Sequence, residues 1–166
     1  VDFIFVAAFI GFTMGVAPVF SFQYGAGNEA ELKSLFGKCT RVIAALSLVM
    51  TAAPQFLAGI LTGFFVGYDQ ALWEMTTAGF RVFALSFLFK GWNIFGSGFF
   101  TALGDGKTSA ILAFLRTLLF QCGAIILLPM AFQLSGIWWA TVAAEGAAVA
   151  VTGWYFYAKR KVYHYT

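Results

Sequence analysis

"FLFKGWNIFGSGFFTALGDG", residues 87–106, sets a full positive charge, Lys90, among phenylalanine, leucine, glycine and small polar residues. Whether this stretch is a soluble core or a membrane span decides the fold, and composition settles it. Of 166 residues, 61% are hydrophobic and 10% charged, and the mean hydropathy is +0.84. An ordinary soluble domain is about 25% charged. So few charges cannot cover a surface facing water, so the stretch reads as part of a transmembrane helix.

A helix needs about 20 mostly apolar residues to cross the hydrocarbon core. Five stretches meet this: 3–24, 37–66, 72–103, 108–132 and 136–158, with 159–166 as a tail. The expected fold is an all-α, polytopic helical bundle. Pro18, Pro54 and Pro129 fall inside spans, where neighbouring helices can satisfy the carbonyls a proline frees. The chain has no initiator methionine and no cleavable leader, and its first residues already belong to an apolar run, so it is read as a fragment.

The gaps between spans alternate in charge. Lys33, Lys38, Arg41, Lys107, Lys159, Arg160 and Lys161 fall on one side, which takes seven of the ten basic residues. The opposite gaps, "GYDQALWE" with Asp69 and Glu74, and "QLSG", hold no Lys or Arg. The positive-inside tendency makes the basic side, and the C-terminus, cytoplasmic. Trp73, Trp138, Trp139, Trp154, Tyr68, Tyr155 and Tyr157 lie near span ends, where amphipathic rings prefer to sit. In the first cytoplasmic connection, Gly25 and Gly27 can end a helix, and Asn28 with Glu31 three residues later is an N-cap signature. Leu32, Leu35 and Phe36 would share one face of a short helix lying on the membrane surface, or simply belong to a linker helix. Cys39 and Cys122 lack paired spacing and read as packing residues.

Four charges remain within spans: Arg81, Lys90, Arg116 and Glu145. Arg116 is about 13 Å from the cytoplasmic end of its helix and can snorkel toward the interface, and Arg81 stands similarly to the outer end. Lys90 is about 27 Å from the outer end and about 20 Å from the inner one, beyond easy reach of either. At 100° per residue Ser86, Lys90, Asn93, Ser97 and Thr101 share one face, a polar stripe that must meet a water-filled cavity or polar groups of other helices. Glu145 lies about 14 Å into the last span. Lys90 and Glu145 are thus expected as an ion pair or as two poles of one cavity, either structural or on a substrate or proton path. Ser86, Lys90, Asn93, Ser97 and Glu145 are the candidate path residues.

"GVAPVFSFQYGAGN", residues 15–28, resembles the end of the eighth helix of multidrug and toxic compound extrusion (MATE) transporters, with its G-x-x-P-x-x-x-[FY]-N-[YF]-G-A pattern. "FFTALGDGKTS", residues 99–109, is similar to the Y-F-Q-A-x-G turn between that family's helices ten and eleven. "FLRTLLF" and "LPMAFQLSGIWWATVAAEG" resemble the family's segments beyond that turn, including the G-[IL]-W opening of helix twelve. Gln23 stands where the pattern has Asn, Thr101 where it has Gln, and Glu145 matches an acidic position without the usual preceding Pro. Lys90 matches no family ligand, and its candidacy rests on the stripe.

The resemblance implies helices eight to twelve of a twelve-helix, two-lobe transporter, without the N-terminal lobe and helix seven that complete it. It further implies a multi-pass protein of the plasma or inner membrane that exports drugs or organic, often cationic, compounds by antiport with H⁺ or Na⁺. Carboxylates linked to coupling in the first or seventh helix would lie outside this chain. A flippase for lipid-linked oligosaccharides is the alternative, with Arg81, Lys90 and Arg116 offered to a pyrophosphate. A channel or structural subunit ranks below it. An enzyme is disfavoured because the spans contain no histidine, carboxylate pair or Asp-rich motif. No cofactor, metal or nucleic-acid partner is expected.

Overall fold

The computed structural model describes residues 2–165. Val1 and Thr166, the last residue of the expected tail, lie outside the described residues. The described chain is helical almost throughout: α1 (Asp2–Gly25), α2 (Glu29–Val66), α3 (Gln70–Ala84), α4 (Phe87–Ala102) and α5 (Gly106–Phe114), then a π-helical segment (Leu115–Gln121) and α6 (Cys122–Tyr163). Asp2–Gly25, Glu29–Val66 and Gly106–Gln133 are each long and apolar enough to cross a membrane. Phe56, Phe64, Phe65, Met130 and Phe132 are all exposed, which suits hydrocarbon and not water.

The connections follow capping chemistry. Gly27 takes φ +67°, the left-handed geometry in which glycine meets no Cβ penalty. The Asn28 side chain then accepts from Glu31 N–H at 3.2 Å, starting α2. Asp69 accepts from Leu72 N–H at 3.1 Å, and Asp105 accepts from Thr108 N–H at 3.1 Å. From Glu29, α2 runs unbroken for 38 residues. This corrects the separate helix on the membrane surface: Leu32 is buried and Phe36 packs against Phe99 and Phe156, so burial against the core outweighs the interface.

Two other segments differ from straight helices. Within 72–103 the chain tightens at Leu85 and Ser86, where Leu85 N–H bonds Val82 O at 3.1 Å and Ser86 N–H bonds Phe83 O at 2.9 Å; α3 and α4 are therefore separate pieces. At Gln133 (φ 52°, ψ −132°) helical geometry is lost. Pro129 has already removed a donor just before it, and Gly136 lies so close to the Leu128 carbonyl that a Cβ there would collide with it. Gln121 faces Thr141 and Arg116 faces Glu145, so the chain folds back and the two arms run antiparallel.

α4 is the central element. It packs against α1, α2, α5 and α6, with α1 running parallel to it, since Phe9 meets Gly91 and Thr13 meets Gly98. A Cβ on Gly91 would come within 2.6 Å of Ser47 Oγ and 2.7 Å of Phe9. Glycine is what allows this closeness. Toward the expected cytoplasmic end, Phe20, Phe36, Phe95, Phe99, Phe100, Phe156 and Tyr165 form a cluster with many edge-on contacts, such as Phe20–Phe99 at 5.0 Å and Phe99–Tyr165 at 4.9 Å, the geometry ring quadrupoles favour.

The last turn is tied to this end. Asp105 accepts from Thr108 Oγ1 at 2.7 Å and from the Tyr163 hydroxyl at 2.8 Å, and Lys159 Nζ stands 3.3 Å away. Burial pushes the Asp105 carboxyl up, but hydrogen bonds from Thr108, Tyr163 and Lys159 outweigh it and hold the group at about 2. The Tyr163 phenol is pushed up to about 12 by burial and by the Asp105 charge. Tyr165 is buried and donates to the Phe156 carbonyl at 2.7 Å.

Candidate functional site: a charge-balanced cavity

A cavity of about 300 Å³ opens where the start of α1, the end of α3, the first turn of α4, the π segment and the second arm of α6 converge. Asp2, Lys90, Arg116 and Glu145 line it, with Thr117, Gln121 and Thr141 as polar neighbours and Phe3, Val6 and Phe83 as apolar wall. Its formal charge, two cations against two anions, is balanced.

Lys90 and Glu145 do line one cavity, but they are not an ion pair. Lys90 Nζ lies 2.6 Å from Asp2 Oδ1, and it also stands 4.7 Å from the centre of the Phe83 ring and 5.2 Å from that of Phe87. Each ring is within cation–π range. Glu145 is taken by Arg116: Arg116 Nε donates to Oε1 and Oε2 at 3.1 Å each, and Nη2 lies 3.1 Å from Oε1. Arg116 therefore does not snorkel. A carboxylate facing it across the hairpin is a better partner than a distant interface.

Asn93 braces the acid. Its Nδ2 donates to Glu145 Oε2 at 2.7 Å and to the Glu145 carbonyl at 3.0 Å, while Oδ1 accepts from Thr152 Oγ1 at 3.0 Å. Glu145 is thus buried with every near partner a donor, which is how a carboxylate tolerates low dielectric.

The rest of the polar stripe divides. Ser86 is fully buried, its hydroxyl without a partner among the described residues, and it does not line the cavity. Ser97 and Thr101 share hydrogen bonds with Ser109 of α5 at 3.0 and 2.7 Å, joining two helices instead of facing the cavity. Arg81 is exposed, and its backbone carbonyl accepts from Gln55 Nε2 at 2.9 Å. Cys39 packs in the core, whereas Cys122 is exposed. Sequence reasoning missed Asp2, which stands just ahead of the first apolar run and 88 positions from Lys90.

A helical bundle with an apolar exterior and a charge-balanced cavity among its helices defines a polytopic membrane protein. Residues 1–127 match the MatE family model, and the chain belongs to this transporter family. It is 28% identical over 141 residues to the multidrug export protein MepA of Staphylococcus aureus strain NCTC 8325 / PS 47, covering 82% of this chain and 30% of that protein. It is 25% identical over 136 residues to MepA of strain bovine RF122 / ET3-1, with the same coverage. The chain therefore spans under a third of these relatives' length. No solved structure matches it.

Proposed function

We propose that this chain is part of a multidrug efflux secondary transporter of the cell membrane. It works with the lobe and helix seven that lie outside it, and its C-terminus is cytoplasmic. The substrates are drug-like organic compounds, often cationic, exported against H⁺ or Na⁺. The carrying observation is the cavity with two ion pairs inside a MatE-family bundle: intramembrane charges are costly and are kept where a path needs them. Lys90 and Glu145 are the path residues, and Asn93 positions Glu145.

The test is dye efflux from cells expressing the complete parent protein, energised by a proton or a sodium gradient in turn, beside Lys90→Met. Gradient-driven efflux in the wild type supports the reading, and a changed pH dependence or substrate range in the variant places Lys90 in the path. If no gradient drives export, efflux is refuted, and binding of a polyprenyl pyrophosphate would then favour a flippase.

A further inference from the structure

The surroundings of Lys90 match those of a receptor for an organic cation. Its ammonium is held by a carboxylate at 2.6 Å and lies near two phenyl rings, Phe83 and Phe87, the carboxylate-and-aromatic cage that recognises quaternary ammonium groups. We infer that Lys90 is a tethered stand-in occupying a cation subsite made by Asp2, Phe83 and Phe87, and that an organic monocation binds by displacing the Lys90 ammonium from Asp2.

Three observations carry this. The cavity holds two positive and two negative groups, so no acid is free for an added monocation, and it gains a counter-charge only by taking Asp2 from the Lys90 ammonium, which must then be solvated by water. Asp2 and Phe83 both line the cavity, so a cation within it meets the carboxylate and one ring together, with the buried Phe87 on the far side of the lysine. Finally, Arg116 holds Glu145 through a two-pronged contact, while Lys90 holds Asp2 through one oxygen, making Asp2 the acid more easily released. The lysine thereby acts as a threshold: a ligand loads only if it satisfies Asp2 and the two rings better than an ammonium already covalently present. This deepens the reading of the cavity as a substrate site and does not depend on which ion drives export.

The experiment measures binding of tetraphenylphosphonium, and of neutral triphenylphosphine oxide as a control of related shape, to the purified full-length protein. Lys90→Met is expected to tighten phosphonium binding by about ten-fold or more, since an intact cage is freed from its competitor, with the neutral compound unchanged. Lys90→Arg should bind like the wild type, and adding Asp2→Asn to Lys90→Met should erase the gain. Lys90→Gln, which still donates to Asp2, serves as the second uncharged variant if Lys90→Met does not fold. Equal or weaker phosphonium binding in the folded uncharged variant overturns the inference, as does equal tightening of the neutral compound, which would signal only added room. Charge-selective tightening without gradient-driven export would refute efflux and uphold the subsite. Export with no tightening would do the reverse.

Discussion

Arg116→Leu tests whether the Arg116–Glu145 pair bears on stability. In the wild type, Glu145 receives Arg116 Nε on both oxygens at 3.1 Å and Asn93 Nδ2 at 2.7 Å, with its side chain 3% exposed. Without the guanidinium, a buried carboxylate keeps one amide donor. Removing one partner of such a pair costs about 3–5 kcal/mol. The Arg116 side chain is 26% exposed, so water reaches the site and the lower end, about 3 kcal/mol, applies. Changing both residues to leucine removes the two charges together and leaves mainly the Asn93 amide short of an acceptor, which costs about 1 kcal/mol. The assay is thermal unfolding of the full-length protein in detergent. The shift per kcal/mol falls as the cooperative unit grows, so in the full-length protein Arg116→Leu should melt a few degrees low and the double variant closer to the wild type. Losses that add in the double variant, leaving it less stable than either single one, would refute the pairing.

Gly91→Ala should destabilise the bundle by about 1–3 kcal/mol, because the new methyl presses on Ser47 and the buried Phe9 in a packed core. Gly123→Ala, in a helix with nothing within 4 Å of the new Cβ, should be neutral or gain up to about 1 kcal/mol from helix propensity; comparing the two melts checks both. The Asp105 carboxyl sits at about 2 against an ordinary 3.8, so its stabilisation is complete above the ordinary value and is lost as pH falls toward the lower one. Asp105→Asn should therefore cost on the order of 1–2 kcal/mol near neutral pH, with the difference from wild type shrinking below about pH 4 in a melt series. Tyr165→Ala empties a buried aromatic site, should cost about 3 kcal/mol, and should speed protease cleavage after Lys159–Lys161.

Helix identity was legible because apolar runs of membrane length leave few alternatives, and the polar face of residues 86–101 was legible because helical period fixes it. Partner choice was not. Arg116 and Glu145 sit on opposite sides of the Gln133 reversal, and measuring each from its own span end hides that a hairpin brings them together. Asp2 reaches Lys90 because α1 packs beside α4 and parallel to it; the alternating gaps imply the direction, but no local pattern encodes which spans are neighbours. The break at Leu85–Ser86 also escaped, since neither residue is a helix breaker; the tightening is carried by backbone bonds to Phe83 and Val82, and Phe83 itself lines the cavity.

The irregular backbone and the charges coincide. Lys90 follows the α3–α4 break by one turn, and Arg116, Thr117 and Gln121 all belong to the π segment, a rare form that is frequent at functional sites. Regular helices elsewhere in the bundle, locked by glycine contacts around α4, resist displacement, because packed interiors transmit strain instead of absorbing it. Those two irregular places carry the cavity's two cations. Asn93 and Glu145, by contrast, stand on regular parts of α4 and α6 and are tied to each other by two hydrogen bonds. The acid thus stands in the regular part of the bundle, while the lysine and arginine stand beside its two irregular segments.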